Sequence, residues 1–173
     1  VRQIFNRGIG WGMYHKENPI CETLRLDKKF LKTSDSRRLR FITKQEARDL
    51  LKEIKIVSPQ THDICLLSIH TGMRMGEIFD LVWGDISVEN GLINIRKPKN
   101  AESRTAYMTP QLKEMFGGLD KKSSSKGDLL FKDTKGKRIS QLSDTFNRAV
   151  DKLKLNEGVK DRQNKIVPHS LRH

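Results

Sequence analysis

Residues 71–78 read TGMRMGEI: a glycine break, an arginine two positions later, and a glutamate three positions after that. Gly72 interrupts the apolar run before it, so Arg74 lies near the start of a new helix, where backbone N–H groups favour anions. Glu77 falls on the same helical face and can hold the Arg74 guanidinium in place. The stretch therefore predicts an arginine poised for an anion. A solvated surface arginine beside a turn is the alternative for this motif taken alone.

Helical patterns lie on the N-terminal side of this stretch. Thr43 and Glu46 form a capping box for a helix over residues 41–56, since each side chain can satisfy the other's free backbone N–H. A second, mostly apolar helix covers residues 61–70. After Gly72 a short helix is expected, with an apolar face made of Ile78, Leu81 and Val82.

A β segment follows on the C-terminal side. Asn90-Gly91 predicts a two-residue hairpin turn, because both residues tolerate positive φ. Residues 92–95 form one predicted strand and residues 105–108 another, joined by a polar, basic turn at 96–104.

More helices come after the strands. Thr109-Pro110 supplies a cap and a first-turn proline for one helix, which Gly117-Gly118 ends. We interpret residues 120–138 as a solvated loop with a short apolar island at 129–131, and Ser140 as the cap of the next helix. Pro168 begins a last one. Helices, a small antiparallel sheet and further helices together predict a mainly helical α+β fold.

The composition narrows the classes of function. The chain has 173 residues, 34 Lys and Arg against 21 Asp and Glu, and a formal charge of +13. This excess predicts an anionic partner, for which duplex DNA, RNA and an acidic membrane surface all qualify. No apolar run is long enough to span a bilayer. Cys21 and Cys65 form no metal-binding or disulfide pattern, which favours a reducing, cytoplasmic setting and no metal or cofactor.

The N-terminal quarter of the chain predicts a domain boundary. Residues 1–18 read as the end of a helix, which Asn18-Pro19 stops because proline disfavours helix in the residue before it. Seven basic residues then lie between Arg25 and Arg40. We therefore expect residues 1–19 to end one domain, 20–40 to be a basic linker, and 41–173 to be a second domain that continues beyond this chain.

Two further motifs carry residue types suited to phosphate chemistry. Lys99 lies at the expected hairpin tip, where it can donate a proton if its pKa is lowered, although most such lysines are solvated turn residues. His169 and Arg172 are one helical turn apart and share a face. This arrangement suits the binding of a phosphate oxygen and the transfer of a proton to or from it. A basic helix start around a buried Leu171 is the alternative interpretation.

In this order and at these separations, the three motifs resemble those of the tyrosine recombinases of the phage integrase family. TGMRMGEI is similar to the family's first box, PKNAESRTAYMTP to its lysine hairpin and PHSLRH to the start of its second box. The leading FNRGIGWGMYHKENPI resembles the end of the helical core-binding domain that precedes the catalytic one. The resemblance implies a fold of the DNA breaking–rejoining type, with Arg74, Lys99, His169 and Arg172 as catalytic residues and Glu77 supporting Arg74.

The same resemblance implies a reaction and its partners. The intact protein is expected to bind double-stranded DNA, to assemble as a tetrameric synapse, and to break and rejoin strands through a 3′-phosphotyrosyl bond without metal or cofactor. It is expected to be bacterial or phage-encoded. Further DNA contacts are expected from basic residues of the linker and the hairpin: Arg37, Arg38, Arg40, Lys97 and Arg104.

The C-terminus departs from the family pattern. The family places a His or Trp and then the nucleophilic tyrosine beyond the second box, whereas the two tyrosines here, Tyr14 and Tyr107, both precede Arg172. We expect the 173-residue chain to be inactive and a longer form to be active. A DNA-binding module with a degenerate integrase fold is the alternative, and a type IB topoisomerase is a third possibility.

Overall fold

The structure is a computed structural model that describes residues 2–20, 39–96, 103–119 and 125–172. It divides into two units, Val1–Arg37 and Arg38–His173. Among the described residues, no helix is both long and apolar enough to cross a membrane.

The first unit contains helix α1, Arg2–Gly10. The sequence predicted a longer helix, and this prediction is wrong because the chain folds back at its glycines. Gly12 has a φ of +69°, and the backbone N–H groups of Met13 and Tyr14 both donate to the Gly8 carbonyl, at 2.9 and 3.2 Å. The Tyr14 ring then lies edge-on to Phe5, with 5.3 Å between centroids.

The second unit is mainly helical and contains a small sheet, which confirms the predicted α+β class. Its elements follow in this order: α2 (Lys44–Val57), α3 (Pro59–Thr71), α4 (Met75–Phe79), a 3-10 helix (Trp83–Asp85), β1 (Ile86–Ser87), β2 (Leu92–Ile95), β3 (Arg104–Tyr107), α5 (Pro110–Gly118), α6 (Thr145–Lys152), and 3-10 helices at Arg162–Asn164 and Pro168–Arg172.

Local capping signals place several helix ends as predicted. The Thr43 hydroxyl accepts from the Glu46 N–H at 3.2 Å, and the Glu46 carboxylate accepts from the Thr43 N–H at 2.8 Å. Gly72 ends α3 in the left-handed conformation, with φ +64°, a region that glycine enters without the steric cost of a Cβ. Thr109 caps α5 by accepting from the Leu112 N–H.

The three strands form one antiparallel sheet in the order β1-β2-β3. Ile86 faces Ile93 and Ser87 faces Leu92, so four residues, 88–91, connect the first two strands. The predicted two-residue turn at Asn90-Gly91 is therefore wrong in length. Gly91 still supplies the positive φ, at +65°, and its N–H closes the turn on the Val88 carbonyl at 3.1 Å.

Two other predicted helix ends need correction. Helix α4 ends at Phe79, before Leu81 and Val82, because Leu81 and Val82 join the segment that pairs with Leu129 and Leu130. Helix α6 starts at Thr145, where the Ser143 hydroxyl accepts from the Thr145 N–H at 3.2 Å, so Ser140 is not its cap.

The apolar island in the predicted solvated loop belongs to the core. Leu129 bridges to Val82, the Leu130 N–H donates to the Leu81 carbonyl at 2.8 Å, and Phe131 is buried. The apolar triplet therefore fastens this segment beside the sheet.

The core has two clusters of buried side chains. One joins α3 and α4 to the sheet, α5 and Phe131. The other joins α2, α6 and Cys65 of α3 to the last 3-10 helix through Leu171. Helix α3 contributes to both clusters, so it lies between the segment that carries Arg74 and the segment that carries Arg172.

Candidate active site

Arg74 is the residue immediately before α4, with an extended backbone (φ −71°, ψ 149°). Its N–H donates to Glu77 Oε2 at 2.8 Å, and its guanidinium Nη1 donates to Glu77 Oε1 at 3.0 Å. Glu77 therefore holds both the backbone at the start of the helix and one edge of the Arg74 guanidinium. The side chain remains 54% exposed, so its other edge is open to an anion.

The Glu77 carboxylate is shared with Arg104, which the sequence did not suggest. Arg104 Nη1 donates to Oε1 at 3.0 Å and Nη2 donates to Oε2 at 2.7 Å. Arg104 begins β3 opposite Ile95, the last residue of β2. Glu77 therefore joins the Arg74 segment to the base of the hairpin.

Glu77 remains ionised in this setting. Burial by itself raises the pKa of its carboxyl, but hydrogen bonds from Arg104 and from the backbone and side chain of Arg74 outweigh burial and lower the pKa to about 2. The same contact raises the pKa of Arg104. Arg74, Glu77 and Arg104 together thus carry a net charge of +1 over the whole physiological pH range.

The second box forms the 3-10 helix Pro168–Arg172, in which Ser170 and Leu171 are buried. The Ser170 hydroxyl accepts from the Val167 N–H at 3.1 Å, and Leu171 packs among the side chains of α2, α3 and α6. Positions three apart eclipse each other in a 3-10 helix, which puts His169 and Arg172 on one side. His169 is exposed and Arg172 half-buried.

Two features bring the first and second boxes into one region. Helix α3 contacts both α4 and the last 3-10 helix. In addition, one cavity of about 420 Å³ is lined by Met75 and Gly76, which follow Arg74, and by Pro168, which precedes His169. The backbone segments that carry Arg74 and His169 thus border the same cavity.

A second arginine contact fixes the other end of α4. Arg138 hydrogen-bonds the Asp80 carboxylate, through Nε and through Nη2 at 3.0 Å, and Nη2 also reaches the Gly76 carbonyl at 3.4 Å. Asp80 hydrogen-bonds and attracts Arg138, which raises the Arg138 pKa. These partners are 58 positions apart, so no local sequence signal predicts the contact.

Carboxylates also line a cavity of about 330 Å³ that extends to Ile95 and Arg96 at the end of β2. Each has an arginine partner: Glu77 has Arg74 and Arg104, Asp80 has Arg138, and Asp85 has Arg96 at 2.6 Å. Over the described ranges, no cluster of His, Cys, Asp and Glu could hold a metal ion.

The remaining predicted residues divide into two groups. Lys97, Lys99, Arg37 and Arg38 lie outside the described residues. The Arg40 guanidinium bonds Glu46 at 2.6 Å and the Leu155 carbonyl. Arg40 and Arg104 thus have intramolecular partners here, and their predicted DNA contacts remain predictions.

Comparison with known proteins agrees with this arrangement. The family profile described as the phage integrase family matches residues 40–173, which includes both arginine boxes and the hairpin. The chain belongs to the phage integrase family.

Individual relatives are recombinases. A probable integrase/recombinase protein of Methanocaldococcus jannaschii is 33% identical over 107 residues, which cover 60% of this chain and 32% of that protein. The tyrosine recombinase XerA of Pyrococcus furiosus is 26% identical over 133 residues, covering 76% of this chain and 45% of that protein. The chain thus spans about a third to a half of the length of these curated relatives.

Solved structures share the fold. The Tn1549 transposon integrase in complex with transposon right end DNA matches 99% of this chain and 61% of its own, with a TM-score of 0.69 and 20% identity. A lambda integrase dimer bound to a COC′ core site matches 99% of this chain and 47% of its own, with a TM-score of 0.65 and 17% identity.

Proposed function

We propose that this chain is the greater part of the catalytic domain of a site-specific DNA recombinase, which breaks and rejoins duplex DNA through a 3′-phosphotyrosyl bond. The observation that carries the proposal is the paired setting of the two boxes. Arg74 is fixed at a helix start with one guanidinium edge open. Met75 and Gly76, which follow it, border the same cavity as Pro168, which begins the 3-10 helix that carries His169 and Arg172. Membership of the phage integrase family supports the same conclusion.

Each residue has a role that its chemistry suits. Arg74 and Arg172 hold non-bridging oxygens of the scissile phosphate, because planar guanidinium groups match phosphate geometry. Both stabilise the charge that develops as the phosphorus becomes five-coordinate. His169 assists proton transfer, and Lys99 protonates the departing 5′-oxygen.

The nucleophile belongs to a longer form of the protein. A tyrosine downstream of Arg172 attacks phosphorus, the P–O5′ bond breaks, and the 5′-hydroxyl leaves with the proton from Lys99. The 5′-hydroxyl of a partner strand then attacks the phosphotyrosyl bond and restores the tyrosine. The bond energy is conserved in the intermediate, which is why we propose no metal or cofactor, and strand exchange takes place in a tetrameric synapse on DNA.

The partner is double-stranded DNA, for which the charge of +13 is suited. The Tn1549 transposon integrase in complex with transposon right end DNA and the lambda integrase dimer bound to a COC′ core site, which share this fold, support this choice. We expect the 173-residue chain to bind duplex weakly and with little sequence preference, since phosphate contacts position a protein without reading sequence. Its affinity should fall with salt by a log–log slope of about −0.9 per neutralised phosphate. A flat salt titration would argue against DNA as the partner.

A suicide substrate tests the chemistry. The DNA is nicked near the cleavage site so that the released strand diffuses away, and covalent protein–DNA adducts are then resolved on a denaturing gel. The longer form should give a shifted band, and the 173-residue chain should give none. An adduct from the 173-residue chain contradicts the proposed nucleophile. A longer form that binds DNA but gives no adduct favours the non-catalytic DNA-binding module.

A further inference from the structure

The distribution of hydrogen bonds around Glu77 distinguishes its two arginines. A carboxylate offers about four acceptor positions, and all four are occupied here: two by Arg74, through its backbone N–H and Nη1, and two by Arg104, through Nη1 and Nη2. The carboxylate is 7% exposed. It has no acceptor position left for another donor.

The two guanidinium groups use this carboxylate differently. Arg104 directs both terminal nitrogens at Glu77 in the fork geometry that binds carboxylate most strongly. In the bonds of the described residues, the Arg74 guanidinium donates only through Nη1. The fork of Arg104 is therefore committed to Glu77, whereas Arg74 keeps nitrogens for an incoming phosphate.

We propose that Arg104 is a positioning residue that acts through Glu77 to orient Arg74 toward the scissile phosphate. This inference rests on the proposed function, and it replaces the sequence-based expectation that Arg104 contacts DNA. Arg104 neutralises Glu77, which would otherwise draw Arg74 more tightly and compete with phosphate for its guanidinium. It also holds the carboxylate that binds Arg74 through Nη1, while the rest of the Arg74 guanidinium stays open.

The position of Arg104 in the sheet adds a second consequence. Arg104 faces Ile95 at the end of the paired strands, and Lys99 lies in the segment that joins those two residues. The Arg104–Glu77 contact therefore attaches the base of the lysine hairpin to the segment that carries Arg74.

Kinetics of the longer form on the suicide substrate test the proposal. Arg104→Gln should lower the rate of adduct formation at least about 10-fold while the Kd for duplex DNA stays within about 2-fold, because an orienting group affects the reaction more than ground-state binding. Arg104→Lys keeps the charge but loses the fork, so it should recover only part of the rate. Arg148→Gln, at an exposed arginine of α6, is the matched control and should leave both quantities unchanged.

A double-mutant cycle with Arg74→Ala separates positioning from direct contact. If Arg104 acts through Arg74, Arg104→Gln should have little further effect on the rate once Arg74 is gone. Additive losses in rate would overturn the proposal. So would a weaker Kd accompanied by a salt slope that is smaller by about 1, because that result identifies a direct phosphate contact.

Spectroscopy of the 173-residue chain tests the proposal without relying on catalysis. Arg104→Gln should raise the pKa of Glu77, which is measured from the ¹³C shift of its carboxyl group. The Nε–Hε signal of Arg74 in ¹H–¹⁵N spectra should shift as well. Thermal melts of the variants establish that they are folded. If the longer form gives no adduct, the proposed function fails, yet these signals still decide whether Arg104 positions Arg74. Unchanged Glu77 and Arg74 signals in folded Arg104→Gln would overturn the positioning role.

Discussion

Arg74 stands at the start of a five-residue helix that charged hydrogen bonds hold at both ends, whereas Arg172 stands on a 3-10 helix that is anchored by buried neighbours. Around Arg74 the fixing groups are Glu77 and Arg104, with Arg138 at the far end of α4. Around Arg172 they are Ser170 and Leu171. The two arginines that we propose as a phosphate-binding pair are thus held by two kinds of force, which respond to different perturbations.

The largest expected effect is on catalysis, where the two settings should converge. Arg74→Ala and Arg172→Ala should each slow adduct formation by the longer form about 100- to 1000-fold, the usual loss when one stabilising donor is removed. Rapid-quench kinetics on the suicide substrate measure this. Arg148→Ala is the control, and a loss below about 10-fold for either arginine would separate that residue from the reaction.

The second effect concerns stability and tests the buried side chain beside Arg172. Leu171 is 3% exposed, so Leu171→Ala should lower the free energy of unfolding by about 2–5 kcal/mol through lost burial and a residual cavity. Leu39, at 59% exposed, provides the matched control, and Leu39→Ala should change stability by less than about 0.5 kcal/mol. Urea denaturation measures both. Equal losses would mean that Leu171 does not anchor the second box.

The third effect is the sensitivity to acid of the contacts between Glu77 and its arginine partners. The folded pKa of Glu77, about 2, lies below its ordinary value of 4.5. Its contribution to stability is therefore complete above pH 4.5 and is lost as the pH falls toward 2. Glu77→Gln should cost about 1–2 kcal/mol at pH 7, reduced by solvent screening of its half-exposed arginine partners.

Urea denaturation at pH 7, 4.5 and 3 checks this dependence. The difference between the native chain and Glu77→Gln should shrink as the pH falls. Glu157→Gln, at a carboxylate that is 65% exposed, should show almost no difference at any of these values. A difference for Glu77→Gln that stays constant with pH would show that the loss is not electrostatic.

The smallest effect concerns one buried hydroxyl. Ser170→Ala removes the acceptor of the Val167 N–H and should cost about 1 kcal/mol, the net value of a typical hydrogen bond. Ser140→Ala, at an exposed serine, should be neutral. A neutral Ser170→Ala would leave Leu171 as the main support of Arg172.

Local sequence signals account for the elements around the site but not for how the side chains are held. The capping box of Thr43 and Glu46 and the glycine at position 72 act within a few residues, so the pattern alone reveals them. The contact of Glu77 with Arg104 spans 27 positions and depends on where the sheet folds back. The predictions for the end of α1 and for the length of the first turn were also wrong, because a glycine indicates a break in the chain without determining the geometry of that break.

Cys65 gives the packed cluster a chemical reporter. Burial raises the pKa of its thiol to about 12, so the folded chain holds it as an unreactive thiol in the same buried cluster as Leu171. In a Cys21→Ser background, a thiol reagent would label Cys65 only when the cluster opens, and the labelling rate would count those openings. The rate at which the cluster that supports Arg172 opens could thus be measured without DNA.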